Sequence, residues 1–224
     1  MSQRTTEEYL ETIGALEERE QPVSTSAIAQ SMGVSLASVS EMLRRLSEKG
    51  FVEHQPYGGA SLTAEGRRHF LHLTRRHRLW EVFLNRHLGV PWEDVYQHAC
   101  SLEHATSDLV ADRLAEFLDN PAYCPHGSPI PGRDLKPAAS DPGRTLADIE
   151  PGKVVTITNI ILERDPDFLR YLTGLGLTPG ATVKVVEKAA YDGTLTVEVD
   201  GGTKAVGKEA ASLILVKPGK AAAK

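Results

Sequence analysis

The hydrophobic period of this chain changes once, near Thr145, and no fold of a single secondary-structure type satisfies both halves. Before that point apolar residues recur at the i, i+3, i+4 spacing that gives a helix one buried face; beyond it β-branched residues alternate, as in strands with one face in a core. The alternating runs are Lys153 to Ile157, Thr182 to Val186, Thr194 to Val199 and Leu213 to Val216, parted by glycine turns and one short helix from Asp167 to Leu175. Such runs predict a small β-barrel behind a helical region, an α+β chain. Between the halves, Pro137 to Gly143 is dense in Pro, Ala and Gly and reads as part of a linker over 137–150; Gly219 to Lys224 reads as a loose tail.

The helical half opens with Thr5 as a cap and Glu8 three positions on, followed by Tyr9, Leu10, Ile13 and Leu16 on one face to about Glu20. A second helix, Ser26 to Met32, is stopped by Gly33. A third, Leu36 to Lys49, is capped by Ser35, closed by Gly50, and turns Val39, Met42, Leu43 and Leu46 inward. Two short helices on a tight glycine turn make a helix-turn-helix. Phe51 to Gln55 and Ala60 to Thr63, around Tyr57-Gly58-Gly59, add a hairpin wing, and Thr63 starts the next helix. The expected units are a winged helix-turn-helix DNA-binding domain over 1–66, a helical region over 67–136 and a barrel over 151–218.

Ser35, Ala37, Ser38, Ser40 and Glu41 lie at the start of the third helix, the end that meets base edges, where Glu41 could accept from a cytosine amino group. Arg44, Arg45, Lys49, Arg67 and Arg68 suit phosphates, which fix register rather than sequence. The net charge of -5 does not advertise a nucleic-acid binder, so this expectation rests on local pattern: the first 78 residues carry ten Lys and Arg against ten Glu, with most of the basic residues after the first helix.

From Trp92 to Leu118 the chain reads as one amphipathic helix, on which Cys100, Glu103 and His104 share a face. A thiol, a carboxylate and an imidazole together make half of a transition-metal site. His77 and Glu81 are spaced i, i+4 on the preceding long helix. Cys124-Pro125-His126, crowded by Pro and Gly, reads instead as a structural turn, and two cysteines are too few for a disulfide framework. No apolar run reaches the about 20 residues of a membrane span, and Met1-Ser2-Gln3-Arg4 leads into a polar helix rather than a signal peptide. A cytoplasmic protein without a membrane partner is expected.

With these elements in this order, the chain resembles the diphtheria toxin repressor family of metal-dependent transcriptional repressors along essentially its whole length. The resemblance is carried by Thr5 to Leu10, Arg76 to Leu79, Ala99 to His104 and Cys124 to Pro131. Leu175-Gly176-Leu177-Thr178-Pro179-Gly180 is similar to the SH3-like domain that ends many members and also occurs as a free-standing ferrous-transport accessory protein. The resemblance implies a divalent metal held between the first helix and the dimerisation helices. Glu8 falls where iron-responsive members place a methionine and manganese-responsive members an aspartate, and Glu11 where the latter place a second carboxylate. His77 and Glu81 match ligands on the long helix; Cys100, Glu103 and His104 match the remaining cluster. Tyr96 stands where the iron-type ancillary site has a histidine. For the ligands drawn from the terminal domain, Glu163 and Asp167 are the nearest candidates.

Oxygen and imidazole donors suit Mn²⁺, with Fe²⁺ second, and the Irving–Williams order allows Zn²⁺ or Co²⁺ in vitro. The reading is a homodimer that binds a palindromic operator of metal-transport genes when loaded with metal. One rival is a winged-helix regulator answering to an organic ligand or to oxidation of Cys100. A hydrolytic metalloenzyme using Glu81 or Glu103 as base is set aside, because so full a set of protein ligands leaves no open position for catalysis.

Overall fold

A computed structural model describes residues 3–17, 20–55, 58–136 and 143–219. The N-terminal head comprises α1 (Gln3–Glu17), α2 (Thr25–Met32), α3 (Leu36–Glu48) and the antiparallel wing strands β1 (Val52–Gln55) and β2 (Gly59–Leu62). Helix α1 begins at Gln3, so Thr5 lies inside it rather than capping it, and Glu8 pairs with Arg4. The expected Ser35 cap forms, accepting from Ser38 N–H, and Ser24, which the sequence did not single out, likewise accepts from Ala27 N–H, each taking up a donor that a helix start leaves unpaired. Leu10, Ile13, Val23, Ile28, Val39, Leu43 and Leu46 fill one core, each worth about 1.5–3 kcal/mol on burial. Tyr57 of the expected wing turn, and residues 18–19 of the expected first helix, lie outside the described residues.

Thr63 caps α4 (Ala64–Leu88), a single 25-residue helix that is the spine of the molecule. The expected helix from Trp92 to Leu118 is two, α5 (Val95–Glu103) and α6 (Asp108–Phe117). The break is made by side chains that compete with the helix: Thr106 Oγ1 donates to Leu102 O (2.8 Å) and accepts from Trp80 Nε1 (2.7 Å), while Ser107 accepts from Val110 N–H and restarts the chain as α6.

The C-terminal unit is a six-stranded antiparallel sheet in the order β3-β8-β4-β5-β6-β7. Its strands are β3 (Arg144–Thr145), β4 (Val154–Ile160), β5 (Thr182–Lys188), β6 (Leu195–Val199), β7 (Gly202–Val206) and β8 (Ile214–Pro218); α7 (Pro166–Leu175) and α8 (Lys208–Ala211) complete it. The expected linker is shorter at its C-terminal end than 137–150: Leu146 and Ile149 are buried in the barrel core, so the barrel takes in residues from Arg144 onward. Residues 137–142 and the tail from 220 lie outside the described residues. The barrel docks on the helices through Trp92, which packs against the barrel core and donates Nε1–H to Thr173 Oγ1 at 2.8 Å, and through an Arg170–Asp94 ion pair at 2.7 Å. No helix among the described residues is long and apolar enough to cross a membrane.

Candidate metal centre

Two clusters of potential ligands meet on the inner face of α4. In the first, the ligand atoms of His77, Cys100 and Glu103 lie within 4.8 Å of one another. His77 Nδ1 is 2.8 Å from Glu103 Oε2 and 3.9 Å from the Cys100 thiol, and His104 Nε2 is 3.5 Å from Glu103 Oε1. In the second, Glu81, Cys124 and His126 are equally close and all buried. Glu81 joins the two, with Oε1 lying 3.3 Å from His77 Nε2 and 3.2 Å from His126 Nδ1.

Helix α1 closes over the first cluster. Glu7 Oε2 lies 2.7 Å from His104 Nδ1, and Glu11 feels the charges of Glu103, His77, Arg164 and His104. Glu8, the family-implied ligand, faces outward: its carboxylate is 41% exposed and takes a hydrogen bond from Arg4 at 3.0 Å. Adjacent helical residues are separated by about 100°, so Glu7 and Glu8 cannot face the cluster together. Glu7 is thus a residue that the sequence reasoning missed; its signal was the i, i+4 spacing to Glu11.

The second cluster draws Cys124 and His126 of the expected structural turn up to Glu81. The turn is stitched to the barrel: Ile160 N–H donates to His126 O at 3.0 Å, and Asn159 Nδ2 to Ser128 Oγ at 2.9 Å. Gly127 has φ +88°, and a Cβ there would stand 1.9 Å from Thr158 O, so only glycine lets the turn lie against β4. Glu163 extends from the barrel toward this side, accepting from Ser128 Oγ and lying 3.6 Å from Arg78. Asp167, the other candidate from the barrel, is 91% exposed and pairs with Arg170; it lies at neither cluster.

The electrostatics fit a cation. Among the described residues, the buried side-chain atoms without a hydrogen-bond partner are Arg76 Nε, Glu81 Oε2 and Glu103 Oε1, so two are carboxylate oxygens of these clusters. Leaving such an oxygen unpaired costs about 1–3 kcal/mol or more, and a cation removes that cost. Burial disfavours the imidazolium of His77, yet Glu81, Cys100 and Glu103 hold its pKa well above the ordinary value. Burial likewise opposes ionisation of Glu81, but His77 and His126 hold its carboxyl well below the usual range. Burial, then Glu81 and Glu163, push the Cys124 thiol up, and burial with Glu103 raises Glu11. Protons on imidazoles thus offset part of the negative charge that a divalent ion would offset more fully. The mixed N, O and S donor set fits a first-row divalent metal.

At the DNA face, Ser35 and Ser38 bond each other at 2.9 Å at the start of α3. Glu41 is gripped by Arg44 (2.9 Å) and Arg45 (2.8 Å), so in this conformation it orders the two arginines rather than standing free. Ala37, Ser40 and Lys49 are exposed; Arg68 pairs with Glu65, and Arg67 with Glu17.

Family models match the chain in three consecutive stretches: the iron dependent repressor N-terminal DNA binding domain at residues 1–60, the iron dependent repressor metal binding and dimerisation domain at 63–132, and the FeoA domain at 144–218. The iron-dependent repressor IdeR of Mycobacterium tuberculosis is 32% identical over 207 residues, covering 88% of this chain and 89% of that one. The chain belongs to the iron-dependent repressor family, that of the diphtheria toxin repressor. Its fold is accordingly that of a metal-dependent, DNA-binding transcriptional repressor with a terminal SH3-like domain, and the family is one of regulators rather than enzymes. Among solved structures, a manganese-dependent transcriptional repressor in complex with manganese superposes with a TM-score of 0.86 at 36% identity, covering 95% of this chain and 99% of that one. The manganese regulator SloR superposes at 0.77 with 32% identity, over 96% and 98%.

Proposed function

We propose that this protein is a homodimeric, manganese-activated repressor of metal-transport genes that reads a palindromic operator. The observation that carries the reading is the pair of buried carboxylate oxygens on Glu81 and Glu103, one at each cluster, that accept no hydrogen bond. Glu8, Glu11, His77, Cys100, Glu103 and His104 are assigned to one centre, and Glu81, Cys124, His126 and Glu163 to the other. A bound divalent ion supplies the positive charge that lets these carboxylates stay ionised and close together. The predominance of oxygen and imidazole donors favours Mn²⁺ over Fe²⁺. The likeness to manganese-dependent repressors supports that choice, while the iron-dependent relative keeps Fe²⁺ as the alternative.

His104 pairs with Glu7 at 2.7 Å and Glu8 with Arg4 at 3.0 Å, so a metal at the first centre competes with both pairs for these side chains. Bringing Glu8 to the first centre requires α1 to roll about its axis, giving up the Glu7–His104 pair. That roll fixes the head against the dimer core, and with it the separation of two recognition helices, which must match about 34 Å on DNA. Leu88, Leu109, Val110 and Phe117, all more than 45% exposed on the helical domain, are apolar residues suited to the self-association. Metal and DNA must then bind with reciprocal coupling. The test is anisotropy titration of duplex DNA selected from a random pool by the manganese-loaded protein. Manganese should tighten binding at least tenfold, and equal affinity in manganese and in chelator would overturn the reading.

A further inference from the structure

Helix α1 is held at both ends. Its N-terminal half faces the first cluster through Glu7 and Glu11, and its last residue, Glu17, is locked into the wing. The Glu17 carboxylate is only 3% exposed. Oε1 accepts from the backbone N–H of Leu62 at 2.7 Å and from Gln21 Nε2 at 3.4 Å, and Oε2 accepts from Arg67 Nη2 at 2.6 Å. Leu62 pairs with Val52 at the base of the wing hairpin, and Arg67 lies in the first turn of α4. One carboxylate thus ties together the first helix, the wing and the start of the long helix. Both close bonds are charge-assisted, the strong kind.

Between the two ends α1 crosses α4 at Gly14, where a Cβ would stand 2.5 Å from Phe70 Cγ. The crossing is bare backbone on an aromatic ring, and beside it Tyr9, Leu10 and Ile13 of α1 pack in one core with Val52, Ala60 and Leu62 of the wing. Glu7 and Glu17 are ten residues apart, about 15 Å along the helix, and a helix transmits rotation along its axis.

We propose that Glu17 is the positioning residue through which occupancy of the first centre reaches the DNA-reading wing. The inference rests on the roll of α1 in the functional reading above. Turning the Glu8–Glu11 face of α1 to where the Glu7–Glu11 face stands is a roll of about 50°, half the about 100° between adjacent residues, and moves a carboxylate about 5 Å from the helix axis by about 4 Å. A hydrogen bond of 2.7 Å to Leu62 does not survive such a displacement unless the base of the wing follows. The wing therefore moves with α1, and the Arg67 guanidinium, freed or re-aimed by the same carboxylate, changes its availability to a phosphate.

The experiment uses the full-length chain and two variants. Glu17→Gln keeps an acceptor for Leu62 N–H and loses the charge facing Arg67; Glu17→Ala loses both. For each, three quantities are measured: manganese affinity of the DNA-free protein by calorimetry, melting temperature, and the ratio of DNA affinities in manganese and in chelator for the selected duplex. Expected are manganese affinities within about threefold of wild type, and an affinity ratio reduced at least tenfold in Glu17→Ala and by less in Glu17→Gln. A ratio equal to wild type in the folded variants, whatever their melting temperatures, overturns the inference, because a merely structural carboxylate moves stability and not coupling. If Glu17→Ala does not fold, Glu17→Gln alone decides by the same comparison. A wild-type ratio near one overturns the functional reading and this inference together, whereas a large wild-type ratio preserved in the variants overturns this inference alone.

Discussion

Replacing Glu81 by Gln removes the carboxylate that, among the described residues, touches both clusters, without changing the volume of its site. The side chain is 0% exposed, its Oε1 faces His77 and His126, and its Oε2 has no partner. Without metal, the cost depends on which proton state the remaining groups adopt. His77 has a raised pKa, so its stabilising contribution is complete below the ordinary value of 6.5 and fades as pH rises through the raised one. Glu81 has a lowered pKa, so its contribution is complete above the ordinary 4.5 and fades as pH falls through the lowered one. The pair is therefore at full strength near pH 5.5, where breaking it leaves the buried imidazolium with Glu103 as its remaining carboxylate partner and costs about 3–5 kcal/mol. At pH 9 His77 can shed its proton and the cost shrinks. At about 2–4 °C per kcal/mol for a chain of this size, the melting temperature at pH 5.5 falls by roughly 6–20 °C. At neutral pH, manganese at a hundred times its dissociation constant stabilises the wild type by about 2.7 kcal/mol, or roughly 5–11 °C. The variant, lacking an anionic donor, should gain less than half of that. Differential scanning fluorimetry across pH, with and without manganese, reads both effects. A variant that melts like wild type at pH 5.5 and responds equally to manganese would refute the assignment of Glu81.

Manganese affinity should rise from pH 6 to pH 8, because His77 and Cys124 hold protons above their ordinary pKa values and must release them to bind. Calorimetry in two buffers of different ionisation heat should register that proton release, and a pH-independent affinity contradicts it. Glu8→Gln should abolish manganese-dependent DNA binding with the dimer intact, while Glu7→Gln, by freeing His104, should leave or strengthen it; filter binding with size-exclusion chromatography distinguishes the two. Gly14→Ala should lower stability by about 1–3 kcal/mol, since the new Cβ meets the Phe70 ring at 2.5 Å and the clash outweighs the gain in helix propensity. Thermal melts would show the sign.

Elements whose signal is local were legible in the sequence. Ser35, Thr63, Gly33 and Gly89 mark helix ends through their own side chains or positive φ, and the alternating runs became strands. What was not legible depends on contacts across the fold. The break between α5 and α6 is made by Thr106 with Trp80, 26 residues earlier. Strand β7 alternates burial weakly, with Thr203 and Ala205 exposed, Gly202 and Lys204 half-buried and no large apolar side chain before Val206, so its sequence lacks a strand's usual stripe. At the site, the helical phase of α1 was ambiguous because Thr6, Glu7 and Thr12 are buried polar residues, leaving the apolar face too ill-defined to tell Glu7 from Glu8. Cys124 and His126 meet Glu81 only because a Pro- and Gly-rich turn is pinned between α4 and β4, a tertiary fact without a periodic trace.

The central claim is that metal and operator DNA bind to one coupled device. The measurement closest to it is the manganese affinity of the protein, by calorimetry, with and without saturating operator duplex. Reciprocity predicts that DNA tightens manganese by the same factor by which manganese tightens DNA, tenfold or more. Manganese affinities that are equal in the free and the DNA-bound protein would contradict it.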